Sequence, residues 1–94
     1  MIQTSFENRK LKIEYIEEVE EGIKSSKYKF RVDIKDFDTP CLGIEYDEDE
    51  DVIERIWIEE DGFDNDAKGH VVYKIFSLIE YEVIEIMKFM IKHI

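Results

Sequence analysis

Asp47, Asp49 and Asp51 stand at alternate positions of an unbroken acidic run, "DEDED" at residues 47–51. Carboxylates at relative positions 1, 3 and 5 open the calcium loop of an EF-hand. That loop also requires glycine at position 6 for its sharp turn and glutamate at position 12 for bidentate coordination. Val52 and Ile58 occupy those positions here, so a built calcium site is not expected. A second candidate is the triplet Asp33-Ile34-Lys35 with Glu14 or Glu17 on a preceding strand, the minimum set of a metal-dependent nuclease. With 24 acids in 94 residues such triplets arise by chance, and a net charge of −11 repels a phosphate backbone.

The other reactive types are sparse. Cys41, His70 and His93 have no zinc-ligand spacing. Cys41 follows Pro40 with no base beside it, so its thiol is expected to be packed or idle. A lone cysteine excludes an internal disulfide and fits a reducing, cytoplasmic compartment. The four glycines are scattered singly, so no phosphate-cradling loop exists. The expectation is a protein without cofactor or catalytic centre.

What the sequence does concentrate is charge. Glu45, Asp47, Glu48, Asp49, Glu50, Asp51, Glu54, Glu59, Glu60, Asp61, Asp64 and Asp66 oppose a single base, Arg55. The rest of the chain carries twelve acids and twelve bases and is neutral. All of the excess charge therefore lies in one quarter of the sequence.

The elements that must position these acids follow from periodicity. Tyr28, Phe30, Val32 and Ile34 alternate with Lys29, Arg31, Asp33 and Lys35, the pattern of a half-buried strand. Residues 11–16 alternate likewise through Leu11, Ile13 and Tyr15. Gly22 and Ser25-Ser26 supply turn material, which predicts a first antiparallel hairpin. Leu42, Ile44 and Tyr46 predict a third strand, and residues 52–58 a fourth, with 47–51 at the tip of a second hairpin. A helix over 52–58 is the rival there, but β-branched residues favour the strand. Gly62, Asn65 and Gly69 mark a loop, after which "HVVYKIF" at 70–76 reads as a fifth strand. Ser77 and Glu80 then form a capping box for a helix running to the C-terminus. The alternative starts that helix near Asp66 and has no strand at 70–76.

The predicted architecture is one α+β domain, an antiparallel sheet of four to five strands in a meander of hairpins, with one C-terminal helix on a face. The helix carries an apolar face of Ile79, Val83, Ile86, Met87, Met90 and Ile94. Ile84, Phe89 and Ile91 are surplus to that stripe, which suggests either enclosure or a homodimer contact. Lys74, Glu80, Glu82, Glu85, Lys88 and Lys92 argue against a membrane span over 71–94.

The basic residues of the first hairpin, Lys10, Lys12, Lys27, Lys29, Arg31 and Lys35, are neutralised by its own acids, so direct nucleic-acid binding is not expected. If residues 45–51 are extended, Glu45, Asp47, Asp49 and Asp51 project to one side at roughly 6.7 Å intervals, of the order of the phosphate spacing in a nucleic acid. Trp57 falls on the same face as Glu45, Asp47 and Glu59, where it could anchor an interface, unless it belongs to the core. The leading expectation is thus a small acidic inhibitor, a nucleic-acid mimic that covers a basic nuclease or other nucleic-acid-binding protein, as anti-defence and immunity proteins do. The alternative is a non-catalytic structural or regulatory interaction module, monomeric or homodimeric through the helix.

Overall fold

Alternating apolar residues bury one face of a strand and leave the other to solvent. In the computed structural model, which describes residues 4–19, 26–35, 38–61 and 66–92, this alternation builds five strands. They are β1 (Ser5–Glu7), β2 (Leu11–Val19), β3 (Lys27–Ile34), β4 (Leu42–Asp47) and β5 (Val52–Ile58). Each pairs antiparallel with the next, in spatial order β1-β2-β3-β4-β5. Two short 3-10 turns, Glu59–Asp61 and Ala67–Gly69, lead into one helix, α1 (Val71–Lys92). The expected α+β meander with a C-terminal helix is the observed fold.

One hydrophobic cluster joins sheet and helix. The strands contribute Leu11, Ile13, Phe30, Val32, Leu42, Ile44, Tyr46, Ile56 and Ile58, and the helix Val72, Phe76, Val83, Met87, Met90 and Ile91. Burying each of the larger side chains stabilises by about 1.5–3 kcal/mol. Tyr15 faces Phe30 across β2 and β3, ring centroids 5.8 Å apart and edge to face. Two bulges adjust the pattern. Between Tyr15 and Glu17 the register slips by one, leaving Ile16 unpaired and 52% exposed. Between Glu45 and Tyr46 it slips opposite Glu54, so Ile53, Ile56 and Ile58 all reach the core side of β5.

Residues 70–76 correct the sequence reading. They form no strand: Val71 opens the helix. Val72, Phe76 and Val83 are helix-spaced with Met87 and Met90, and all five are buried. The β-prone composition of "VVYKIF" is overridden because helical spacing, unlike alternation, points Val72 and Phe76 together into the core. The cap is also different. His70 Nδ1 accepts the Val72 N–H at 3.1 Å, while Ser77 sits inside the helix and donates its hydroxyl to the Tyr73 carbonyl at 2.8 Å. The fifth strand is instead β1 at the opposite edge, turned into β2 by Asn8, whose Oδ1 accepts the N–H groups of Lys10 and Leu11, each at 2.8 Å. Of the three residues set aside for a subunit contact, Ile91 is buried, Ile84 is half-buried and only Phe89 is exposed. Gly22, Ser25, Gly62, Asn65 and Ile94 lie outside the described residues. No described helix is long and apolar enough to cross a membrane.

Candidate functional site

The acidic run sits where expected, at the tip of the β4–β5 hairpin. Asp47 pairs with Val52 and closes a four-residue connection, Glu48 to Asp51. The chain reverses here because Asp47 is itself the turn's acceptor. Its Oδ1 takes the N–H groups of Asp49 at 2.9 Å and Glu50 at 3.3 Å, and the Ser26 hydroxyl at 3.2 Å. Ser26 in turn offers its carbonyl to the Glu48 N–H at 2.8 Å. Asp47 is thus buried, at 6% exposure. Burial opposes its charge, but donors from Glu50, Ser26 and Asp49 outweigh that and hold its carboxyl below the ordinary range.

Asp51 ends the turn in the left-handed region, φ 56°, which aspartate tolerates better than most side chains. Its carboxylate accepts the Tyr46 hydroxyl at 2.5 Å and lies 3.6 Å from Lys88 of the helix. The tyrosine hydrogen bond, ahead of the lysine charge, holds the Asp51 carboxyl below its usual value. Burial of Tyr46, reinforced by Asp51, pushes the phenol well above the ordinary tyrosine range. The two flanking aspartates therefore pin the tip to the sheet and to the helix.

These geometries redistribute the roles expected from sequence. The evenly spaced row of Glu45, Asp47, Asp49 and Asp51 does not exist, because the strand stops at Asp47 and the last two lie in the turn. Glu45 is 7% exposed, cross-strand from Lys29 and from Arg55. Glu54 reaches Lys27 at 3.0 Å. Trp57 lies opposite Gly43, outside the helix-side cluster, as the strand register requires. It is nevertheless buried to 6% exposure and donates its indole N–H to Glu59 at 2.7 Å. So enclosed, Trp57 presents little surface to a partner, and its hydrogen-bond donor is engaged by Glu59. Among the described acids of this segment, Glu48, Asp49, Glu50 and Asp51 are exposed at the tip, the last engaged by Tyr46 and Lys88, and Glu54, Glu60 and Asp66 are exposed beyond it. Asp61 ends the first 3-10 turn, and Asp64 lies outside the described residues.

Three supporting residues have other roles in the sequence reading: Ser26 is turn material, Tyr46 a strand position and Lys88 a helix charge, none of them part of the site. Only Gly43 left a usable signal, since an isolated glycine within a strand pattern marks a close approach. A β-carbon there would collide with Trp57 Cε2 and Nε1 and with Glu59 Oε1.

The remaining outer face of the sheet is a lattice of opposite charges. Lys12 stands across from Asp33, Glu14 from Arg31, and Glu17 from Lys29, the last pair 3.3 Å apart. At the β1 edge Lys35 pairs with Glu7. A cleft of about 340 Å³ between β5 and the start of α1 is likewise mixed, with Arg55 and Lys68 facing Glu54, Asp66 and Glu80. Among the described residues no three His, Cys, Asp or Glu side chains are grouped as a metal site requires. No protein-family model matches the chain, and no curated protein or solved structure matches it.

The hydrogen bonds to Asp47 make stability acid-sensitive in a defined direction. Its folded pKa is depressed below the unfolded value of 3.8. Its contribution is therefore complete above that value and disappears as pH falls through the folded one. Asp47→Asn should lose stability relative to wild type at neutral pH, and the gap should narrow at a pH below the unfolded value. Urea unfolding of both proteins at the two pH values measures it. A gap that is constant with pH would refute the assignment.

Proposed function

We propose that this protein is an acidic inhibitor that covers the basic surface of a nucleic-acid-binding protein, of the kind used against defence nucleases or as immunity to nuclease toxins. The observation that carries this is the tip: Glu48, Asp49 and Glu50 are exposed on a turn pinned at both ends by Asp47 and Asp51. Adjacent like charges on an ordered hairpin cost folding free energy, and a partner's Lys and Arg offset that cost on binding. Pinning also lowers the entropy lost on association, because the backbone that carries the carboxylates is already fixed.

In this reading Glu48, Asp49 and Glu50 make the contact, Glu54 and Glu60 extend it, and Asp47, Asp51, Trp57 and Glu59 hold it in shape. The field of a chain with net charge −11 steers a basic partner toward the tip, so association is fast and falls with salt. The partner need not be touched by an aromatic anchor.

The triple variant Glu48→Gln/Asp49→Asn/Glu50→Gln tests it. A partner captured from native host extract by the wild-type protein, once purified, should bind this variant at least tenfold more weakly, about 1.4 kcal/mol. Wild-type binding should fall steeply between low and physiological salt and compete with nucleic acid for the same partner. Affinity unchanged by the variant, or indifferent to ionic strength, overturns the proposal.

A further inference from the structure

The outer side of α1 is not what a solvated helix face requires. Leu78 is 86% exposed, Tyr81 78% and Val71 62%, while the inner side of the same helix is buried. Isolated apolar residues on a surface are ordinary, but these share a regular seam with charged ones. Val71, Lys74, Leu78, Tyr81, Glu85 and Lys88 follow one another at intervals of three and four residues, the a/d spacing of a two-helix coiled coil. Lys74, Leu78, Tyr81 and Glu85 are all exposed.

We infer that this seam is a self-complementary surface on which a second copy of the chain docks antiparallel, with its two-fold axis between residues 79 and 80. In that register Leu78 of one copy meets Tyr81 of the other, twice by symmetry. Lys74 meets Glu85 on either side of this apolar centre, again twice, and the Lys88 stem covers Val71. The charges select this arrangement over its neighbours. A parallel pair would set Lys74 against Lys74 and Glu85 against Glu85. Sliding the antiparallel pair by a heptad in one direction puts Leu78 against Lys88 and Lys74 against Lys92, and in the other it puts Leu78 against Lys74. Only the first register matches apolar with apolar and base with acid. Glu85 already lies 3.6 Å from Lys88 of its own helix, but Glu85 is exposed and Lys88 keeps Asp51 as a partner, so Glu85 yields readily to Lys74 of the other copy.

One helical seam buries less than a standard interface, so the dimer is weak and concentration-dependent. The seam meets the acidic tip only at Lys88, which lies 3.6 Å from Asp51, and its Leu78–Tyr81 centre does not depend on what the tip binds.

Sedimentation equilibrium of the intact 11.3 kDa chain over a wide concentration range tests the inference. The mass should double as concentration rises. Leu78→Glu/Tyr81→Glu should remain monomeric with unchanged circular dichroism, because both side chains are exposed. Lys74→Glu and Glu85→Lys should each weaken the dimer severalfold, and the double variant Lys74→Glu/Glu85→Lys should restore it. A wild-type monomer at every concentration, or a dimer indifferent to Leu78→Glu/Tyr81→Glu, overturns the surface. Single reversals without effect, or a double variant that does not recover, overturn the antiparallel register.

Discussion

Phe76→Ala should destabilise the fold by about 3–5 kcal/mol, the cost of truncating a fully enclosed phenylalanine. Phe76 is 1% exposed and lies in the first turns of α1, within the cluster that joins helix to sheet. A chain of this size has a total stability of about 5–15 kcal/mol, so the variant loses a large share of it. The neighbouring Lys74, exposed on the same helix, provides the contrast: Lys74→Ala should change stability by less than about 0.5 kcal/mol. In a strand over 70–76 these two side chains would share a face and respond alike, so the pair of measurements separates helix from strand. Chemical denaturation followed by far-ultraviolet circular dichroism supplies both values. A Phe76→Ala cost below about 1 kcal/mol would remove this residue from the core.

Gly43→Ala is the second large effect, and it arises on the opposite side of the sheet. The added methyl would occupy the place of the Trp57 ring, which has no flexible end to swing aside. Overpacking of this kind costs typically 1–3 kcal/mol, and here the upper part of that range applies because the Trp57–Glu59 hydrogen bond is lost as well. Ordinary strand propensity predicts the reverse, since alanine reduces the freedom of the unfolded chain and stabilises by up to about 1 kcal/mol where it fits. The sign of the change therefore decides whether the indole lies over Gly43. Trp57 is the only tryptophan, so its fluorescence reports directly, moving to longer wavelength as the ring is displaced into water. A stabilised variant with unmoved emission would contradict the packing described here.

Four strands were legible in the sequence because their signals are local: alternation declares β2 to β4 within a few residues, and β-branched content favours β5 over a helix. β1 was not, since Ser5-Phe6-Glu7 contains one apolar residue and no period can be read from one. Residues 70–76 were misread for a different reason. Their β-branched and aromatic side chains suit a strand, and only continuity with Val83, Met87 and Met90 shows which of them turn inward. For the site, the position of the acidic tip followed from hairpin logic, but the division of labour within it did not. Whether an aspartate is free or bound depends on donors such as Ser26, distant by 21 residues, and Tyr46, whose hydroxyl reaches back from the core. Trp57 shows the same limit: register places it opposite the helix, yet its burial depends on the empty space above Gly43.

The chain-order pairing of the strands bears on how the molecule assembles. Every strand finds its partner immediately before or after it in the chain, so few residues separate paired strands and little entropy is lost before pairing begins. The exception to easy closure is the β4–β5 turn, where five carboxylates must be drawn together before the Asp47 and Asp51 hydrogen bonds can form. Salt then acts on the same residues in opposite senses: it screens their mutual repulsion and quickens closure of the hairpin, while it weakens the attraction of the finished tip for anything basic. Dilute solution favours the encounter, and concentrated salt favours the fold.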